Sequence, residues 1–120
     1  MSDKTRTILV VEDDALVRSF VVEELADAGY TVLEADNGEA AAELAVHRAF
    51  DVLFTDIRLP GAIDGWDLAK LVRDIKPSVP VIYATGYTSK REQQLPGTVF
   101  LMKPYRPVEL LHAIATLAAP

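Results

Sequence analysis

Asp51-Val52-Leu53-Phe54-Thr55-Asp56 is an apolar run bracketed by acids, and its last step is a lone carboxylate. Two other runs end in comparable chemistry. Ile8-Leu9-Val10-Val11 leads into Glu12-Asp13-Asp14, and Val99-Phe100-Leu101-Met102 leads into Lys103-Pro104. The three read as strands, and the continuous apolar character of Ile8–Val11 suggests burial on both faces. Laid side by side and parallel, the three would gather several acids and one lysine at their carboxyl ends. That set suits a divalent cation and a phosphoryl group, with a carboxylate as nucleophile.

Helical patterns fill the gaps between strands. Val17, Phe20, Val21, Leu25 and Ala28 recur at helical spacing, and Gly29 suits the stop. Thr31–Ala35 reads as a second strand, and Asn37 can cap a helix carrying Ala40, Ala41, Leu44 and Ala45. After the strand at 52–55 a loop runs through Leu59-Pro60-Gly61 to Asp64-Gly65. The next helix carries Leu68, Leu71, Val72 and Ile75 and ends before Pro77. Val81–Ala84 and Val99–Met102 are further strands, and Pro107 opens a last helix with Leu110, Leu111, Ile114 and Leu117 on one face. Strands alternating with helices predict a parallel sheet with right-handed crossovers, covered on both faces. Ligands of such sheets bind outside the carboxyl ends of the strands, where all three polar sites lie.

Composition narrows the function. The 120 residues make one domain, half hydrophobic and a quarter charged, with no internal repeat or linker. Without cysteine, neither disulfide nor thiolate chemistry arises. No apolar stretch is long enough to span a bilayer and residues 1–7 lack a signal-peptide core, which fits the cytoplasm. Twelve basic against eighteen acidic residues give a charge of −6, which argues against a nucleic-acid partner.

Each candidate residue also has an ordinary explanation. Two like charges at 4 Å repel by about 4 kcal/mol at an effective dielectric near 20, so clustered acids need a neutralising partner. Hard oxygen ligands of this kind suit Mg²⁺. Asp14 reads more simply as a helix cap. Glu12 and Asp13, at a buried strand's end, read as site residues. Asp56 alone could equally cap a turn, Lys103 alone could be solvated, and Thr85 alone could satisfy local backbone. Their weight comes from lying together.

Together, Glu12-Asp13, Asp56, Thr85 and Lys103-Pro104 resemble the signature of bacterial response-regulator receiver domains, in order and over nearly the whole chain. The resemblance implies a flavodoxin-like α/β fold, doubly wound, with a five-stranded parallel sheet of order 2-1-3-4-5. It implies that Asp56 accepts a phosphoryl group from a histidine kinase or a histidine phosphotransfer protein. Asp13, Asp56 and the backbone carbonyl of Arg58 would ligate Mg²⁺, with Glu12 acting through a water. Thr85 and Lys103 would bind the phosphoryl oxygens, and Phe100 occupies the aromatic switch position. Such a protein is a switch for an unknown downstream partner, and catalyses only its own phosphorylation and dephosphorylation. With the chain ending at Pro120, the expectation is a single receiver, residues 1–120, with no output domain and no membrane partner: either a single-domain regulator or the receiver of a hybrid kinase.

Tyr83-Ala84-Thr85-Gly86-Tyr87 partly resembles the Phe-Ala-Thr-Gly-x-Tyr motif of the FATGUY subfamily, often paired with kinases of the HWE class. Thr85 and Lys103 stand 18 positions apart, about one helical turn fewer than in most receivers. No apolar residue falls between Thr88 and Gln94, and Pro96-Gly97 ends any helix early, so a short or irregular fourth helix is expected. Arg58 and Tyr87, each two residues beyond a site residue, are candidates for tuning phosphoryl lifetime. One rival is a Mg²⁺-dependent phosphatase working through an aspartyl phosphate. It needs a second carboxylate near the nucleophile, and the position two beyond Asp56 holds Arg58. A flavin-binding relative would need a hydroxyl-rich phosphate loop where this chain has Glu12-Asp13-Asp14.

Overall fold

The computed structural model describes residues 5–86 and 96–118. Among these described residues nine elements follow in order: β1 (Thr7–Val11), α1 (Ala15–Asp27), β2 (Thr31–Ala35), α2 (Gly38–His47), β3 (Val52–Asp56), α3 (Gly65–Ile75), β4 (Val81–Thr85), β5 (Thr98–Met102) and α4 (Pro107–Ala118). All strand pairs are parallel, and the sheet order is β2-β1-β3-β4-β5. Both match the expected doubly wound sheet. The expected short or irregular helix between β4 and β5 falls on residues 87–95, outside the described residues, as does Tyr87.

Strand alternation divides the core. Ile8, Val10, Val52, Phe54, Ile82 and Ala84 face α1 and α4, where Val21, Leu25, Leu110 and Ile114 meet them. Leu9, Val11, Leu53, Val81 and Tyr83 face α2 and α3, against Ala41, Ala45, Trp66, Leu68 and Val72. The central strands β1, β3 and β4 are apolar on consecutive residues because helices cover both faces. Edge strand β5 is more open, and Met102 is 47% exposed.

Local chemistry fixes the helix ends. The Asp14 carboxylate accepts from the Leu16 and Val17 amides, as expected of a cap. Asn37 accepts from Ala40 N at 2.7 Å. Asp64 and Asp67 form a reciprocal capping box at the start of α3. Gly29, at φ 100°, turns the chain out of α1.

Four positions differ from the sequence reading. Phe20 was expected inside but is 38% exposed, because only Val21 and Leu25 of α1 lie fully under the sheet. Ile75, the last residue of α3, is 41% exposed, beyond the part of the helix that covers the sheet. Ala28 is exposed as the C-cap of α1, and Ala40 faces outward from the first turn of α2.

Candidate functional site

Strand register brings the polar ends level. Val11 pairs with Thr55, Asp56 with Ala84 and Thr85 with Met102, so the residues that terminate these strands share one rim. Asp13, Asp56, Arg58, Thr85, Gly86 and Lys103 line a single crevice there. Carboxylate oxygens of Glu12, Asp13 and Asp56 all lie within 4.8 Å of one another. Lys103 Nζ donates to Glu12 Oε1 at 2.9 Å and to Asp56 Oδ2 at 3.0 Å. Glu12, Asp56 and Thr85 are buried, whereas Asp13 is exposed at the mouth.

Burial dominates the electrostatics. Desolvation first, and then the charge of Glu12, raise the Asp56 carboxyl to a pKa of about 6 against the opposing pull of Lys103. Burial depresses Lys103, but its bonds to Glu12 and Asp56 outweigh that, and the net shift is upward. The neutralising partner that the acids require is thus partly within the chain. Their oxygen donors remain a hard set that fits a small divalent cation such as Mg²⁺.

Several contacts that the sequence argument did not foresee hold the site in place. The Thr55 hydroxyl donates to the Asp56 carbonyl at 2.8 Å. Arg18 Nη1 donates to the Glu12 carbonyl at 2.9 Å, while its Nε pairs with Glu34 Oε1 at 3.1 Å, tying α1 and β2 to the acidic turn. Gly65 N donates to the Ile57 carbonyl at 2.7 Å. A Cβ at Gly65 would collide with the Asp56 carbonyl oxygen and fall 2.7 Å from Ile57 Cα. Read from the sequence, Gly65 is only a turn glycine; its role depends on that close approach. Beneath the crevice the rings of Trp66, Tyr83 and Phe100 pack together, with centroids 4.7–5.8 Å apart. Tyr105, after the cis Lys103-Pro104 bond, sets its ring against Phe54 and buries its hydroxyl with no hydrogen-bond partner among the described residues. Burial first, and then the nearby acids, raise that phenol to a pKa of about 12, with Lys103 opposing.

Of the residues expected at a site, Glu12, Asp13, Asp56, Arg58, Thr85 and Lys103 converge. Phe100 lies below them in the ring cluster. Asp14 stays apart as a cap, as expected. The acidic pair needed only its place after a buried strand to be found. Arg18 and Trp66 carried no comparable signal, because an arginine or a tryptophan at helical spacing reads as surface or core.

Residues 8–115 match the response regulator receiver domain, and the chain belongs to that family. It is 30% identical over 114 residues to the transcriptional regulatory protein CusR of Escherichia coli K12, an alignment covering 92% of this chain and 50% of CusR. The chain therefore spans about half the length of that curated relative. A response regulator receiver protein from Sinorhizobium medicae WSM419 superposes with TM-score 0.91 at 31% identity, covering 98% of this chain and 97% of the other. The receiver domain of sensor histidine kinase PA1611 from Pseudomonas aeruginosa PAO1 superposes with TM-score 0.85 at 26% identity, over 98% of this chain and 100% of that one. That structure has a magnesium ion coordinated in its active site cleft. No helix among the described residues is long and apolar enough to cross a membrane.

Proposed function

We propose that this receiver domain is a phosphoacceptor switch in which Asp56 is the acceptor. The observation that carries the reading is the bridge from Lys103 Nζ to Asp56 Oδ2, set beside the carboxylates of Glu12 and Asp13. A free Asp56 carboxylate oxygen attacks the phosphorus of a phosphohistidine on a histidine kinase or phosphotransfer protein. The P–N bond breaks, the imidazole leaves with the bonding pair, and an acyl phosphate forms on Asp56. Lys103 moves its positive charge onto the phosphoryl oxygens, and the Thr85 hydroxyl donates to another. Asp13, Asp56 and the Arg58 carbonyl would hold Mg²⁺, and Glu12 would act through a water; the ion would supply positive charge that screens the phosphoryl group. Water later hydrolyses the acyl phosphate, so the chain turns over only itself. Thr85 and Phe100 together pass the state of the site to a downstream protein.

Arg58 is exposed at the crevice mouth and tunes the lifetime of the acyl phosphate, together with Tyr87. Arg58→Asn therefore shifts the decay rate more than about twofold while labelling persists, because it alters water access without touching the nucleophile. The Tyr83-Ala84-Thr85-Gly86 segment favours the FATGUY subfamily and an HWE-class kinase as donor. Incubation with acetyl phosphate and Mg²⁺ should add one phosphoryl group to the parent and none to Asp56→Asn. Equal labelling of the Asn variant would remove Asp56 as acceptor. Steady turnover of a phosphate ester would favour the phosphatase instead.

A further inference from the structure

Each ring of the buried aromatic cluster stands next to the site in sequence. Trp66 follows Gly65, whose amide bonds the Ile57 carbonyl just past Asp56. Tyr83 lies two residues before Thr85 on β4, and Phe100 three before Lys103 on β5. The indole of Trp66, 4% exposed, meets Tyr83 at 4.7 Å and Phe100 at 5.8 Å between centroids. Tyr83 and Phe100 meet each other at 5.3 Å. Tilted rings at such distances attract one another beyond the area they bury. A close-packed interior transmits a change of shape to its neighbours.

We propose that Trp66 is a positioning residue for the crevice above it: wedged against both rings, it fixes the ends of β4 and β5 and so sets Thr85 relative to Lys103. The two ends are already joined by one bond, Lys103 N to the Thr85 carbonyl at 2.9 Å. Phe100 sits on the edge strand, which has a paired neighbour on one side only. On this face the packing of Trp66 from α3 supports β5, while α4 packs against its other face. Two of the three acids belong to other supports: Glu12 and Asp13 follow β1, and Arg18 holds the Glu12 carbonyl. Loss of the indole loosens the Thr85–Lys103 side of the crevice and leaves the carboxylate side in place.

This asymmetry gives the test, whose second readout rests on the phosphoacceptor reading and whose first does not. Amide exchange is followed in the ligand-free parent, Trp66→Leu and Trp66→Phe, comparing Lys103 N with Leu53 N, which bonds the Pro80 carbonyl at the opposite end of the sheet. Lys103 should lose protection selectively in Trp66→Leu, with Trp66→Phe intermediate, while Leu53 changes only with global stability. Binding of beryllium fluoride, a phosphoryl mimic, is then measured in saturating Mg²⁺. Its affinity should fall roughly fivefold or more in Trp66→Leu, the size of an ordinary coupling between sites, with Mg²⁺ affinity unchanged. Unchanged relative protection at Lys103, or parallel losses of mimic and Mg²⁺ affinity, would overturn the proposal. If exchange responds as stated but not even the parent binds the mimic, the positioning role stands and the phosphoacceptor reading fails. Should Trp66→Leu not fold, Trp66→Phe carries both comparisons.

Discussion

Lys103 Nζ stands 3.0 Å from Asp56 Oδ2 although 47 positions separate the two residues in the chain. The same nitrogen reaches Glu12 Oε1 at 2.9 Å, so one cation offsets two buried carboxylates. Surface ion pairs contribute little, but removing one member of a largely buried set strands the others without compensation.

Lys103→Met should therefore destabilise the metal-free protein at neutral pH by about 2 kcal/mol, less than a fully buried break because the lysine side chain is 28% exposed. Millimolar Mg²⁺ should restore much of the loss. Thermal melts with and without the metal measure both effects. A variant that melts with the parent in the absence of Mg²⁺ would show that the bridge carries no net stability.

The shifted Asp56 carboxyl predicts a pH signature. Its pKa rises from 3.8 in the reference state to about 6 in the fold. Between these values the unfolded chain releases the proton while the folded chain keeps it. The resulting penalty is absent below about pH 4, grows as pH rises to about 6, and is constant above that, at on the order of 2 kcal/mol. Asp56→Asn lacks the penalty. In metal-free buffer it should be the more stable protein at pH 7.5, and the advantage should disappear by pH 4. Urea titrations at several pH values give the difference; an offset that ignores pH would contradict the assigned shift.

Clustered oxygens predict metal-linked stability. Mg²⁺ binding only the native state adds about 2.7 kcal/mol at a hundredfold excess over its dissociation constant. The melting temperature should climb with Mg²⁺, and Asp13→Ala, which removes the exposed carboxylate of the cluster, should blunt the climb. A parent melting curve indifferent to millimolar Mg²⁺ would rule the cation site out.

Gly65 offers a steric test. The three atoms nearest to a Cβ there belong to the backbone of Asp56 and Ile57, so the closest clash is not one that a flexible side chain can relieve. Gly65→Ala should cost about 2 kcal/mol, as overpacking does elsewhere, although alanine is the better helix former. Denaturant unfolding at fixed pH decides the sign. A gain in stability would mean that the start of α3 can retreat from β3.

The site was legible wherever a polar residue ended an apolar run. Glu12 and Asp13 needed only β1 before them, whereas Asp56, Thr85 and Lys103 gained weight only by ending neighbouring strands together. The parallel sheet was readable from five strands alternating with helices, whereas its order came only with the family resemblance. What stayed hidden depends on distances across the fold. Gly65 matters through a backbone approach that no periodicity encodes, and Arg18 through a carbonyl six residues away and a carboxylate on β2. Phe20 shows the opposite error. Its spacing on α1 is that of a core residue, but it falls beside Pro104 and Tyr105 in an open groove rather than under the sheet.

Trp66 is the only tryptophan among the 120 residues. Its indole is shielded from water and touches the ring of Phe100. The emission of this protein on excitation in the red edge of the indole band therefore arises from one buried point below the crevice. Any rearrangement of Phe100 that lets water reach that point will shift the band to longer wavelength. The domain thus contains its own optical probe, readable at natural sequence and without a label.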